Sequence, residues 1–202
     1  MSFSPFGARP EALGFKGIAA TILLHDAVLT ALAVYLVWRA GDGLAAIGWK
    51  RAHFWREVML GVVLFVPFML CVALLEAALR AAGLPPPPGP PPFLLPRSNT
   101  DYLVAFVLLV VVAIAEETVF RGYLLLRFAQ ITGSRGFAVA LSSGLFALGH
   151  AYQGSLGVIA VGVNGVGIAL IYFWRGSLVA PMVMHFIQNG IGLLVAPRFL
   201  DV

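Results

Sequence analysis

The sequence predicts an all-α fold, a polytopic membrane bundle of about six transmembrane helices. Three observations carry this reading. Of the 202 residues, 60% are hydrophobic and only 11% are charged, whereas a soluble domain carries about 25% charged residues. The chain therefore lacks the polar side chains to cover a water-facing surface, and its mean hydropathy is +0.95. Six stretches, roughly 17–38, 58–82, 102–128, 136–151, 156–174 and 178–196, equal or approach the about 20 apolar residues that a spanning helix needs. Basic residues, finally, gather in the connections between those stretches, where they set orientation.

The first stretch follows "MSFSPFGARPEALGFKG", which has no compact apolar run ending in a small-residue cleavage site, so no cleaved signal peptide is expected. It contains His25 and Asp26. As neighbours these point about 100° apart on a helix, a placement that suits helix-to-helix hydrogen bonding as well as function. The connection "AAIGWKRAHFWREV" mixes basic and aromatic residues and is expected to lie along the headgroups. In the second stretch Glu76 and Arg80 stand one helical turn apart, a spacing for a structural pair near a span end. Cys71, the single cysteine, excludes an intrachain disulfide and any cysteine-based metal site, and is expected as a small buried hydrophobe. Eight prolines in residues 85–96 then forbid helix and favour an extended spacer. The division that follows is a two-helix front over 1–84, a Pro-rich linker over 85–100, and a four-helix core over 101–202. Within the core, Gly154, Gly157, Gly162, Gly165 and Gly167 are expected to permit close helix contact.

Six spans put both termini on one side. Arg39, Lys50, Arg51, Arg56, Arg127, Arg135 and Arg175 fall on the other side, against Arg9, Lys16, Arg80, Arg97 and Arg198 with the termini. The bias places the 1–2, 3–4 and 5–6 connections in the cytoplasm. The Ala, Gly and Pro content points to a bacterial inner membrane. Although the net charge is +4, there is no basic stripe with interleaved aromatics, so no nucleic-acid partner is expected.

Ionisable residues inside spans cost a few kcal/mol each on insertion scales and are functional candidates for that reason. The densest group interrupts the third stretch: "AIAEETVFRGYLL" places Glu116, Glu117 and Arg121 after a run, 102–115, without any charge. His25, Asp26, Glu76, His150 and His185 are the other ionisable candidates, and Asn164 and Asn189 the uncharged ones. With "QITGSRG" (130–136) taken as a hairpin, Glu116 lies about 20 Å from the turn and His150 about 21 Å up the returning helix. Counted from Gly176, His185 and Asn189 lie about 14 and 20 Å deep and share one helical face. Glu117 and Arg121 are spaced to neutralise each other. Glu116 is then left without a cation, which suits a general base. Phe146, one turn before His150, reads as a packing residue.

At these same positions the chain resembles a known family. "EETVFR" (116–121), "FALGH" (146–150) and "HFIQN" (185–189) are similar, in order and on successive membrane segments, to the motifs of the CPBP intramembrane proteases. That group contains CAAX prenyl endopeptidases and bacteriocin-processing or self-immunity proteins. "RGSLVAPMVMH" (175–185) shares the family's look, and the resemblance covers 101–196. It implies an intramembrane endopeptidase whose water is activated by Glu116 and His150. It further implies that His185 and Asn189 form the oxyanion hole, braced by Glu117 and Arg121. The substrate would be a membrane-associated protein or peptide, prenylated or not, met within the lipid bilayer. No cofactor is expected, although Glu116, His150 and His185 form a His₂Glu set that zinc could use. Two other classes compete. A proton- or ion-coupled transporter would use the same buried Glu, Arg and His residues as a relay, but no inverted repeat relates the halves. A non-catalytic scaffold is disfavoured by the intact motif residues.

Overall fold

In lipid every backbone N–H and C=O must be bonded within its own segment, so apolar stretches of spanning length become helices. A computed structural model of the chain, describing residues 10–50, 52–87 and 95–195, has this form, with no strand among the described residues. Helices α1 (Pro10–Arg39) and α2 (Phe54–Ala81) form the front. The next rod, Asn99–Thr132, is continuous but not uniform. It begins as α3 (Asn99–Glu116), widens into a π-helix over Glu117–Leu124, and ends as α4 (Leu125–Thr132). Helices α5 (Arg135–Gly149), α6 (Gly154–Arg175) and α7 (Val179–Gly190) follow, the last extended by a π segment over Ile191–Val195. Leu13–Arg39, Phe54–Ala81, Asn99–Thr132 and Ala151–Arg175 are long and apolar enough to cross a membrane, while Arg135–Gly149 and Val179–Leu194 are shorter apolar helices. The six stretches read from the sequence correspond to these six rods.

Local chemistry sets their ends. Ser98 caps α3 in a capping box, its hydroxyl accepting from the Asp101 amide while Asp101 accepts from the Ser98 amide. Ser134 caps α5 by accepting from the Phe137 amide. Between them Gly133, at φ 67°, closes α4 in the left-handed conformation that makes the hairpin possible. Helix α1 packs on α3, α2 packs on α7 and α6, and α5 sits between α4 and α6. The core of the back half is Leu125, Ala138, Val139, Ala169, Tyr172 and Leu178.

The connections after α1, α4 and α6 meet at one end of the bundle, as alternating spans require. Arg127 pairs with Asp42 at 2.9 Å, Arg175 pairs with buried Glu57 at 2.6 Å, and the Leu178 amide donates to the Gly48 carbonyl at 3.1 Å. Towards the other end Lys16 lies 3.5 Å from Asp101, and Glu76 pairs with Arg80 at 3.1 Å as its spacing predicts.

The connection between α1 and α2 opens as a 3₁₀ turn, Leu44–Ile47, that buries Ile47 completely, while Leu44, Trp49, Phe54 and Trp55 are exposed. Two expectations, at Cys71 and among the glycines, need amendment. Cys71 is exposed on α2, not buried. Gly154 makes no close helix contact and instead takes φ 76° in the turn before α6, and Gly157 approaches only its own helix at Gln153. Most of the proline run, residues 88–94, lies outside the described residues.

Candidate active site

The π-helix is the foundation of the site. Its wide turn closes i→i+5 bonds, an arrangement rare enough that it concentrates at functional positions. Ser142 of α5 donates to the Phe120 carbonyl at 2.7 Å, and Thr118 donates to the Ile114 carbonyl at 2.6 Å. Trp49 in turn donates its indole N–H to Thr118 at 3.2 Å, tying the front connection to the segment.

From this segment Glu117 and Arg121 project into the bundle, 0% and 2% exposed, with Arg121 Nη1 donating to Glu117 Oε1 at 3.0 Å. The guanidinium lies over the Phe146 ring, 4.3 Å from its centroid. Gly165 on α6 leaves the room: a Cβ there would stand 3.2 Å from Ser143 Cβ and 3.4 Å from Arg121 Nη2. A charge pair at this depth survives only if both members are held and hydrogen-bonded.

His185, buried on α7, joins the two glutamates. Its Nδ1 lies 2.8 Å from Glu117 Oε1 and its Nε2 lies 3.6 Å from Glu116 Oε2. The second distance is beyond a hydrogen bond. Glu116 Oε2 is buried and has no hydrogen-bond partner among the described residues. Its carboxylate and His150 line one cavity of about 530 Å³, together with Phe120, Phe146 and Tyr152. His150 follows α5 as its C-cap, and its Nδ1 lies 2.8 Å from the Phe146 carbonyl. A carbonyl only accepts, so Nδ1 carries a proton there and Nε2 of the neutral ring is left as an acceptor. Phe146 is the common wall, with ring centroids 5.1 Å from Phe120, 4.6 Å from His150 and 6.1 Å from His185.

The structure thus brings Glu116, Glu117, Arg121, His150 and His185 together through Phe146. Asn189 stands apart. It lies one turn beyond His185 on α7, partly buried, and is not among the residues lining the cavity. Asn164 is buried and donates to Gln188 at 2.7 Å, joining α6 to α7. The zinc alternative requires Glu116, His150 and His185 to converge on one point. Among the described residues no three His, Cys, Asp or Glu side chains gather closely enough for a metal ion. The residues as arranged do not fit the ion.

Sequence reasoning left the role of one wall of the cavity open between helix packing and function. Asp26 and His25 of α1 line it beside Glu116. A signal was available: counted from Arg39 at the end of α1, Asp26 lies about 20 Å deep, the level of Glu116 by the same arithmetic.

With this geometry in place, residues 98–191 match the family described as Rce1-like type II CAAX prenyl endopeptidase. The chain carries a domain of that family. The matched Rce1-like domain runs from the cap of α3 past the end of α7, and so contains all three motifs while leaving α1 and α2 outside. No curated protein and no solved structure matches the chain. That family implies intramembrane protease activity and a protein or peptide substrate, and the four long apolar helices mark a multi-pass integral membrane protein.

Proposed function

We propose that the chain hydrolyses a peptide bond of a membrane-associated substrate with a water activated by Glu116 and His150. The observation that carries this is the asymmetry of the adjacent glutamates. Glu117 is held through Oε1 by Arg121 and His185, whereas Glu116 has no hydrogen bond among the described residues and it, not Glu117, lines the cavity that His150 shares. A water between Glu116 and His150 Nε2 would find two acceptors. Glu116 takes one proton as the water oxygen attacks the carbonyl carbon, and the carbonyl oxygen becomes an oxyanion. Glu116 then returns the proton to the leaving nitrogen as the C–N bond breaks, giving a carboxylic acid, which keeps the water's second proton, and an amine.

The oxyanion needs donors. His185 Nε2, 3.6 Å from Glu116 Oε2, is the side-chain atom we assign to donate to the oxyanion. Asn189 completes the hole on this reading by turning toward the cavity when substrate is bound. Residues 101–202 carry the chemistry, 85–100 link, and 1–84 wall the site from α1. The placement is a bacterial inner membrane with both termini outside, which labelling of a tag at either end of intact cells would test.

The testing experiment compares new N-termini in membranes holding wild type or Glu116→Gln. At least one cleavage present with wild type and reduced about 10²-fold or more with the variant is expected. Identical cleavage in both would overturn the assignment of Glu116.

A further inference from the structure

The geometry points to Asp26, on α1 and outside the Rce1-like domain, as a specificity residue that receives a protonated Lys or Arg side chain of the substrate beside the scissile bond. The inference rests on the reading that Glu116 and His150 form the hydrolytic site.

Asp26 is 6% exposed, on the side of α1 that packs against the bundle. A structural carboxylate at that depth is expected to bond across to a neighbouring helix. Asp26 does not: its Oδ1 is met by Nδ1 of the adjacent His25 at 3.0 Å, within the same helix, and its Oδ2 is buried with no partner among the described residues. That free oxygen belongs to a residue lining the same cavity as Glu116, whose Oε2 is equally unmet.

The cavity therefore presents two buried carboxylates. The guanidinium nearest the site is committed to Glu117, and His185 bonds the same carboxylate. Leaving such oxygens unpaired is costly. The attacking water meets the need of Glu116 but leaves Asp26 wanting a donor. A cation is the donor that the charge selects, since Coulomb attraction is large where water is scarce. The walls fit a basic side chain as well. Phe120, Phe146 and Tyr152 offer apolar and aromatic surface for the stem of a Lys or the plane of an Arg, and about 530 Å³ leaves space for it. His25, largely exposed, keeps Asp26 oriented from the outer side.

The test uses full-length protein in its own membranes, with wild type, Glu116→Gln, Asp26→Asn and Asp26→Glu compared by mass spectrometry of new N-termini. Cleavages lost in Glu116→Gln are expected to carry Lys or Arg within about three residues of the cut. Replacing that residue by Gln in the substrate should slow the wild-type enzyme about 30-fold or more, the lower end of the effect of truncating one partner of a buried charge pair. Asp26→Asn should slow cleavage of the basic substrate by a similar factor and lose the preference for Lys over Gln, while Asp26→Glu retains part of it. Glu116-dependent cuts without a nearby basic residue would overturn the inference and leave the hydrolytic reading intact. Equal slowing of the Lys and Gln substrates by Asp26→Asn would show a structural role and also overturn it. Absence of any Glu116-dependent cleavage would overturn both readings together. The substrate arm needs only the wild-type enzyme, so poor folding of an Asp26 variant does not protect the inference.

Discussion

Replacing Arg121 by Ala removes the cation that makes Glu117 tolerable. Glu117 is 0% exposed and its partner 2% exposed, at 3.0 Å. Stranding one member of such a pair costs about 3–5 kcal/mol. Two features of the structure adjust this figure in opposite directions. His185 Nδ1 remains 2.8 Å from Glu117 and can still donate, which favours the lower end. The guanidinium also leaves the face of Phe146, forfeiting about 1–2 kcal/mol of cation–π attraction. A net loss of about 4 kcal/mol is a large share of the 5–15 kcal/mol typical of a folded domain. The expected phenotype is low accumulation in membranes and, in detergent, a midpoint of thermal unfolding lower by about 10 °C. Adding Glu117→Gln removes the stranded charge, so the double variant should regain about 2–3 kcal/mol relative to Arg121→Ala alone, a coupling a double-mutant cycle measures. Normal thermal stability of Arg121→Ala, or a double variant no better than the single, would refute the bracing role.

Removing one oxyanion donor costs about 10²–10³ in turnover, so Asn189→Ala should retain weak activity where Glu116→Ala retains almost none; equal residual rates would remove Asn189 from the hole. Chelators should leave purified wild type active, and elemental analysis should find no stoichiometric zinc; zinc lost with activity in His185→Ala and restored together with it would reverse this. Gly122→Ala should destabilise by about 1–3 kcal/mol, because a Cβ there would stand 2.9 Å from the Ile47 carbonyl oxygen; a wild-type melting curve would contradict it. Arg80→Ala, by contrast, should change stability by less than about 1 kcal/mol, since its partner Glu76 sits in a partly exposed pair; a larger change would mean the pair is shielded in the bilayer.

What the sequence disclosed about the fold followed from solvent. Lipid demands long apolar helices, so six rods could be read from six stretches, and a helix spacing of four was enough to find Glu117 with Arg121. The same solvent explains the error at Cys71. Inside a bilayer an apolar residue gains nothing by facing the protein, because the tails outside are as apolar as the neighbours within. Burial is then decided by polar and small residues, which is why Asp26, Glu57, Ser142 and Ser143 are buried while Leu24, Val66 and Leu70 are not. The depth count from hairpins placed Glu116 level with His150, and both do line one cavity. It could not show that His185 would turn to Glu117, because depth along an axis contains no rotation about it. The π-helix left no mark in residue spacing at all. Its existence depends on which carbonyls are met from outside, as Ser142 meets that of Phe120.

One feature of the helices bears on where this protein can work. Helices α5 and α7 have 15 and 12 residues, giving lengths of about 22 and 18 Å, against a hydrocarbon layer of about 30 Å. Over the described residues, its π extension to Val195 included, α7 is shorter than that thickness. The mismatch falls where His150 ends α5. Bilayers accommodate a short span by thinning around it, at fractions of a kcal/mol per Å. A dimple in the membrane would bring headgroups and their water down to the cavity that Glu116 lines, and would ease an extended peptide out of a thick bilayer to meet it. The rate of cleavage becomes a function of acyl-chain length, fastest in thin membranes where the dimple is already made, and slower as the lipid host thickens around a protein that cannot lengthen to match it.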